Sequence, residues 1–184
     1  MSLREAVRLR PASLHSFLYG KPVRRSMDGE KMPRILEWLL DGDEHELSAR
    51  IQSRMDDFSD IPADDSGAIS FLRRMAEDGD IDAQCLLGLA FENGVGTAAS
   101  DRDAFGWYRM AADRGDGFGR KGVERLSFPL YQEYDDQDYI VIAAGYGNIG
   151  YILDTGVRLE DEGTKKSIEK AIEIYRIGTA TGSA

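Results

Sequence analysis

The sequence is poor in the residues that build disulfides and metal sites, with one cysteine and two histidines among 184 residues. A disulfide needs two cysteines, so the chain forms none internally, and a lone Cys85 fits a reducing compartment. His15 and His45 lie far from Cys85 and from each other, and neither a C-x-x-C nor an H-x-x-x-H spacing occurs. The sequence therefore predicts no bound metal, and nothing in it points to a cofactor.

Long apolar stretches are also lacking, although 42% of the residues are hydrophobic. No run approaches the roughly 20 apolar residues that cross a bilayer. The N-terminal residues are basic but contain no uninterrupted apolar segment, so we do not expect a secretory signal. Together with the single cysteine, these observations predict a cytoplasmic protein.

Positive charge is scarce outside the N-terminal segment, and the net charge is −10. Residues 1–34 carry eight basic and three acidic residues, a net charge of +5, so the rest of the chain carries −15. A basic arm of this kind lies along its own acidic body, stays solvated, or docks onto an anionic partner. The acidic body disfavours nucleic acid, because it repels phosphate.

One spacing pattern occurs three times, over residues 68–79, 104–115 and 171–182. Each copy has a small residue, a large pair three residues later, a compact or apolar pair four residues further on, and a glycine at the end. The first two copies are 36 residues apart (104 − 68). Helical spacing inside a repeat of this length predicts stacked helix pairs, and such a fold points to a binding surface and away from a catalytic pocket.

A second pattern alternates with the first. Leu87 and Phe91, four residues apart, recur as Ile149 and Leu153, 62 residues later (149 − 87). Large residues at this spacing mark one face of a helix in each copy. Gly94 follows the first of these helices, where a left-handed residue is needed to end it.

The segment before residue 150 also contains a nucleotide-binding signature. Gly145, Gly147 and Gly150 form G-x-G-x-x-G after a strand-like apolar run. A dinucleotide-binding domain needs further strands, and only 34 residues (184 − 150) follow the last glycine. The same segment aligns with Ala83 and Gly88 of the first repeat, so we expect its glycines to allow close helix packing.

The unit from residue 79 to 115 resembles a Sel1-like repeat, the αα repeat related to the tetratricopeptide repeat. The resemblance covers roughly residues 66–184, and a second, weaker unit spans about 141–182 with a longer loop between its helices. The matching residues are Ala83, Gln84, Leu87, Gly88, Phe91, Gly94, Gly96, Asp101, Ala104, Trp107, Tyr108, Ala111, Ala112 and Gly115 in the first unit, and Gly150, Gly156, Ala171 and Tyr175 in the second.

The resemblance implies an all-α fold, in which αα hairpins stack as a short right-handed solenoid over residues 66–184. Residues 1–65 are expected to form an N-terminal helical extension that caps the solenoid and carries the basic arm. The helices predicted from spacing, after one that begins at Pro33, cover about 44–58, 67–78, 80–93, 101–114, 117–127, 140–155 and 165–181.

Residues 116–139 interrupt the regular array. Gly117, Gly119 and Gly122 weaken a helix in this segment, and Pro129 is expected to end it. We therefore expect a degenerate helix followed by a loop rich in tyrosine and aspartate.

Proteins with such repeats are mostly interaction scaffolds, so the resemblance implies a non-catalytic protein, bacterial in character. The first helices of the hairpins usually line the concave face, and acidic residues there favour a basic protein or peptide. The expected partner contacts are Asp82, Leu86, Leu89, Glu92, Asn93, Asn148, Tyr151, Ile152 and Asp154. An uncovered C-terminal helix also favours a homodimer, and no membrane partner is expected.

Two other functions stay open at this point. An inhibitor or immunity-type protein that neutralises a cationic partner would use the same charge complementarity, with tight one-to-one binding. A cell-wall-related enzyme is implied by a cysteine-rich branch of the family, but this chain lacks those cysteines. It also shows no recognisable Ser/His/Asp or Cys/His set, so we do not expect an enzyme.

Overall fold

Every regular element in the described part of the chain is helical. The computed structural model describes residues 33–41, 45–146 and 149–181, and it divides into two compact units at Ser100. The predicted all-α repeat fold is confirmed, whereas the basic arm lies outside the described residues.

The first unit contains α1 (Arg34–Asp41), α2 (His45–Ser53), a 3-10 helix (Met55–Phe58), α3 (Asp65–Glu77) and α4 (Ile81–Asn93). The second contains α5 (Asp101–Ala112), α6 (Gly117–Tyr134), α7 (Asp138–Gly145), α8 (Ile149–Asp161) and α9 (Lys165–Thr181).

A glycine–aspartate pair forms the turn after α3 and again the turn after α5. Gly79 and Gly115 have φ angles of 98° and 88°, which glycine adopts without the steric cost of a side chain. The aspartate that follows caps the next helix. Asp80 accepts a hydrogen bond of 2.8 Å from the Ala83 amide, and Asp116 accepts one of 2.7 Å from the amide three residues on. The same two residues therefore end one helix and begin the next.

The N-terminal helices pack onto the helices of the first repeat. Arg34 of α1 forms an ion pair of 3.1 Å with Asp65 at the start of α3. The single helix predicted over 44–58 is divided: α2 ends at Ser53, and the 3-10 helix that follows buries Phe58. Ile35, Leu36 and Leu39 of α1 are also buried, so α1 and the 3-10 helix both contribute to the core of the first unit.

Helix α6 is longer than the sequence predicts. It has 18 residues and runs through Pro129, whereas we expected a degenerate helix that stops near residue 127 and continues as a loop. That expectation for 116–139 is wrong. Proline removes one backbone donor from the helix, but its neighbours Phe128 and Leu130 are buried. Tertiary packing of this kind supplies most of the stability of a helix, so it sustains α6 beyond the proline.

Gly119 and Gly122 of α6 are packing positions, and we were wrong to expect weak points in the helix at these two residues. A Cβ added to Gly122 would lie 2.4 Å from Cγ of Tyr108, and one added to Gly119 would lie 2.7 Å from the carbonyl oxygen of Tyr108. Tyr108 has no exposed surface, while its neighbour Trp107 is only half-buried. Because Gly119 and Gly122 have no side chains, α5 approaches α6 closely. Tyr108 is the aromatic residue of α5 that lies in the core.

The segment with the G-x-G-x-x-G signature is helical, with α7 ending at Gly145 and α8 beginning at residue 149. The single helix predicted over 140–155 is thus two helices, and residues 147–148 lie outside the description. No atom lies within 4 Å of a Cβ added to Gly145, and Gly150 is exposed. Our expectation that this pair of glycines allows close helix packing is wrong.

Gly156 aligns with Gly94 at the same shift of 62 residues (156 − 94), which predicts that it ends a helix. Its role in the structure is different. Gly94 ends α4 with a left-handed φ of 66°, as predicted, but Gly156 lies inside α8, and Gly163 provides the positive φ beyond the helix. A Cβ added to Gly156 would lie 2.3 Å from Cε1 of Tyr175. The ring of Tyr175 therefore occupies the space that a side chain at 156 would fill.

Most of the other repeat positions are in the interior. Those that the structure buries are Ala83, Gln84, Leu87, Gly88, Phe91, Ala104, Tyr108, Ala111, Ala112 and Ala171. In the second unit, a continuous cluster joins Tyr131 of α6 and Ile140 of α7 with Ile152 of α8 and Ile174 of α9. This cluster fixes the α8–α9 hairpin on α6 and α7.

Replacing Gly122 with alanine should lower the free energy of unfolding by about 1–3 kcal/mol, the usual cost of extra volume in a packed core. The new methyl group meets the Tyr108 ring, and this cost outweighs the roughly 1 kcal/mol by which alanine is favoured over glycine in a helix. Urea unfolding measures the change.

Gly106→Ala on α5 is the matched control, because no atom lies within 4 Å of its added Cβ. This substitution should stabilise the protein by about 0.5–1 kcal/mol. If both variants shift the unfolding midpoint in the same direction by similar amounts, the close contact at Gly122 does not determine the packing.

Candidate functional site

The predicted partner contacts of α4 lie mostly inside the protein. All ten residues from Asp82 to Phe91 are buried, and Leu86 and Leu89 have no exposed surface. Our expectation that Asp82, Leu86 and Leu89 touch a partner is therefore wrong for this structure. Only Glu92 and Asn93, in the last turn, are partly exposed. The helix is apolar on nearly every side, a composition typical of a buried helix.

Asp82 is buried, and it is neutralised by two arginines whose side chains are 30% and 35% exposed. The nearest nitrogen of Arg50 and that of Arg54 each lie 2.6 Å from one of its carboxylate oxygens. Arg54 also contacts Asp80 at 2.6 Å and Asp57 at 2.8 Å, and its hydrogen bond to Asp80 is the main cause that raises the pKa of Arg54. A buried carboxylate is costly unless it is paired. This ion cluster therefore binds the end of α2 and the 3-10 helix to α4.

The predicted contacts of α8 divide in the same way. Ile152 is 1% exposed, so our expectation for this residue is also wrong. Tyr151 is half-buried and its hydroxyl shares a short hydrogen bond with Ser127 of α6, while burial raises its pKa. Asp154 is exposed and lies 2.8 Å from the arginine one turn on. Asn148 lies outside the described residues.

Four aliphatic residues on the last two helices are about half exposed. Leu153 and Val157 of α8 are 53% and 48% exposed, and Ile168 and Ile172 of α9 are 45% and 49% exposed. The members of each pair are four residues apart and so lie on one face of their helix. The sequence aligns Leu153 with Phe91, which is buried, so this part of the repeat pattern predicts the wrong environment. We name the surface of these four residues the terminal apolar face.

All four residues lie on the same side of the α8–α9 hairpin. Gly156 lies against Tyr175, and Ile152 lies against Gly178, so the two helices are antiparallel. Each member of the terminal apolar face directly follows a buried residue, at positions 152, 156, 167 and 171. Successive residues of a helix point about 100° apart. The residue that follows a buried one therefore points to the side of the hairpin, and because the two helices are antiparallel, it is the same side for both.

The opposite side of the hairpin holds it to α6. Besides the bond of Tyr151 to Ser127, the guanidinium of Arg158 lies 5.7 Å from the ring centroid of Phe128, and Nζ of Lys170 lies 4.7 Å from that of Tyr131. Cations over aromatic rings are attracted by the ring quadrupole. The terminal apolar face therefore points away from α6.

Lys170 also pairs with Asp135, the left-handed residue with φ 54° that ends α6. The hydrogen bond from Lys170 holds the pKa of Asp135 below its ordinary value. A shallow pocket of about 190 Å³ beside this pair is lined by Lys166, Glu162 and neighbouring polar groups. Of the tyrosine- and aspartate-rich segment that we expected to be a loop, Tyr131 and Asp135 thus contact Lys170 of α9, whereas Tyr134, Asp136 and Asp138 are exposed.

The described residues contain no group of three or more His, Cys, Asp and Glu side chains that could hold a metal ion. Cys85 is buried in α4. In the same part of the chain, no helix combines the length and the apolar composition that a membrane span requires.

Known proteins share the repeat pattern. The family model of the Sel1 repeat matches residues 57–80, 81–116 and 143–179, more than half of the chain. The first match begins at residue 57, before the predicted start of the repeats. The chain is also similar to a crystal structure of a Sel1 repeat protein from Oxalobacter formigenes, with 23% identity and a TM-score of 0.39. That similarity covers 78% of this chain and 61% of the other, so the chain spans about three fifths of its length. No curated protein sequence matches the chain.

Replacing Arg54 with alanine should lower the free energy of unfolding by about 1–3 kcal/mol, because it leaves the buried Asp82 with one of its two arginines. Arg176→Ala is the control. It removes an exposed ion pair of 3.5 Å with Glu173 and should change the stability by less than about 0.5 kcal/mol. Urea unfolding compares them, and an Arg54 variant as stable as the control would show that the ion cluster does not hold α2 to α4.

Proposed function

Because the chain belongs to the Sel1 repeat family, we propose that it is a non-catalytic interaction module that binds a basic protein or peptide. Sel1 repeat proteins are generally protein-interaction scaffolds and typically non-catalytic. The basic character of the partner rests on one observation, the position of the acidic residues. Residues 56–82, which nearly coincide with the first repeat match, carry nine acidic and two basic residues, a net charge of −7.

Part of this charge is neutralised within the protein and part of it faces solvent. Arg54 pairs with three of the nine carboxylates, including that of Asp82, whereas Asp56, Asp60 and Glu77 are exposed. Exposed charge of one sign steers oppositely charged partners and raises their association rate. A basic partner is therefore favoured over an acidic one.

Four of the partner contacts expected from the sequence are at least partly exposed. The hydroxyl of Tyr151 is already bonded to Ser127, so three fit the proposal: Glu92, Asn93 and Asp154. Glu92 and Asn93 end α4 in the first unit, and Asp154 lies on α8 in the second. We assign them as candidate contacts, each within its own unit. The partner is a protein or peptide, as for other Sel1 repeat proteins.

We also propose that the protein acts in the bacterial cytoplasm. The sequence has a single cysteine, and the structure buries it in α4. A sequence with one cysteine forms no disulfide within itself, which fits a reducing compartment.

Selection of binders from a displayed random peptide library, with the full chain as bait, tests the proposal. We expect enrichment of lysine- and arginine-rich peptides, and their affinity should fall as salt rises from low to physiological concentration, because salt screens exposed charges. Enrichment of neutral or acidic peptides would contradict a basic partner.

Calorimetric titration of an enriched peptide then gives the stoichiometry of binding, and tight one-to-one binding would favour an inhibitor over a scaffold.

Charge reversals locate the binding residues. Glu92→Lys is compared with Glu133→Lys, and Asp154→Lys is compared with Asp161→Lys, so that each control has the same net charge as its test variant. Glu133 and Asp161 are exposed, lie outside residues 56–82 and are not candidate contacts. A contact variant should weaken peptide binding about tenfold or more beyond its control, with melting temperature as the check on folding. If the test variants and their controls weaken binding equally, only the overall charge matters and these residues are not contacts.

A further inference from the structure

The terminal apolar face is exposed to solvent among the described residues. In a stack of helical repeats each unit buries an apolar face against its neighbour. Here the side of the α8–α9 hairpin that points away from α6 carries four aliphatic residues, each 45–53% exposed. Exposed apolar surface of this kind marks an interaction site.

We propose that the terminal apolar face binds a second copy of this chain. The charge of the hairpin supports this occupant. Residues 149–181 carry six acidic and five basic residues, a net charge of −1 in a chain of −10. A nearly neutral surface has little attraction for the basic partner proposed above, and it repels a copy of itself only weakly.

Two ion pairs lie within α9, the helix that carries Ile168 and Ile172. Lys165 lies 3.9 Å from Glu169, and Arg176 lies 3.5 Å from Glu173. These four charges have partners within the helix, so a contact through the aliphatic residues does not leave them unpaired, which would be costly. The same surface on both copies gives an isologous contact, the arrangement of a two-fold symmetric dimer.

The size of the face sets the expected strength. Helices of 13 and 17 residues are about 20–25 Å long, and two such helices with axes about 10 Å apart form a pair about 20 Å wide. They offer a face of roughly 400–500 Å² per copy, so a dimer buries roughly 800–1,000 Å², near the lower limit for a specific interface. We therefore expect a weak dimer that forms only as the protein concentration rises.

Sedimentation velocity of the full chain over a series of concentrations tests the proposal. The wild-type sedimentation coefficient should rise with concentration, and Ile172→Glu should weaken self-association about tenfold or more, because it places a charge in the aliphatic contact. Val141→Glu is the matched control. It adds the same charge at a 43% exposed apolar residue on α7, and it should dimerise like the wild type. Both substitutions are at exposed sites, so unchanged melting temperatures confirm that the variants are folded.

Salt distinguishes this proposal from a basic occupant. Higher salt should favour dimers, because it screens the repulsion between two chains of charge −10, whereas it should weaken binding of a basic partner or of the basic arm at residues 1–32. A wild-type chain that stays monomeric at every concentration and salt would overturn the proposal. A dimer that Ile172→Glu leaves intact would overturn it as well. Neither result bears on peptide binding, which the charge reversals test separately.

Discussion

Two contacts between a tyrosine ring and a helical glycine set the spacing of the helices in the second unit. Tyr108 of α5 lies on Gly122 of α6, and Tyr175 of α9 lies on Gly156 of α8. In each contact the tyrosine ring fills the space that a side chain at the glycine position would occupy. The two helix backbones therefore lie closer together than they could with a larger residue at that position. The rest of the unit depends on this spacing, because it sets how α6 and the α8–α9 hairpin meet in the cluster that includes Tyr131.

Spacing alone predicted the helices whose apolar pattern is regular. The predicted range of 165–181 is that of α9, and α3, α4 and α5 differ from prediction by one or two residues at an end. The single helices predicted over 44–58 and 140–155 are each divided, and Gly156 was misjudged by its alignment with Gly94. Other errors occur where glycine or proline was judged by its local preference, at Gly122 and Pro129. Helix propensity describes a chain segment on its own, and packing against a neighbouring helix overrides it. No local pattern shows which glycine has a tyrosine ring against it.

The site was less predictable than the fold, because exposure depends on distant parts of the chain. The charge of Asp82 predicts a surface position, but Arg50 and Arg54 contact this residue and cover it. The two arginines precede Asp82 by 32 and 28 residues, in a segment that shows no repeat pattern. The pairs in the terminal apolar face show the opposite error. Apolar residues four apart, such as Leu153 and Val157, mark one face of a helix, but the same spacing is typical of a buried face.

The two proposed associations rely on different physics, and that difference lets them operate together. Charge attracts a basic partner to the acidic residues, which are concentrated at 56–82, whereas burial of aliphatic surface joins two copies through a hairpin of charge −1. The acidic segment at 56–82 and the four aliphatic residues of the terminal apolar face share no side chain. A dimer carries two acidic segments, so a partner with two basic sites binds the second one at a high effective concentration. A small and weak contact between the two copies is sufficient for such binding, since a partner with two basic sites would itself stabilise the dimer.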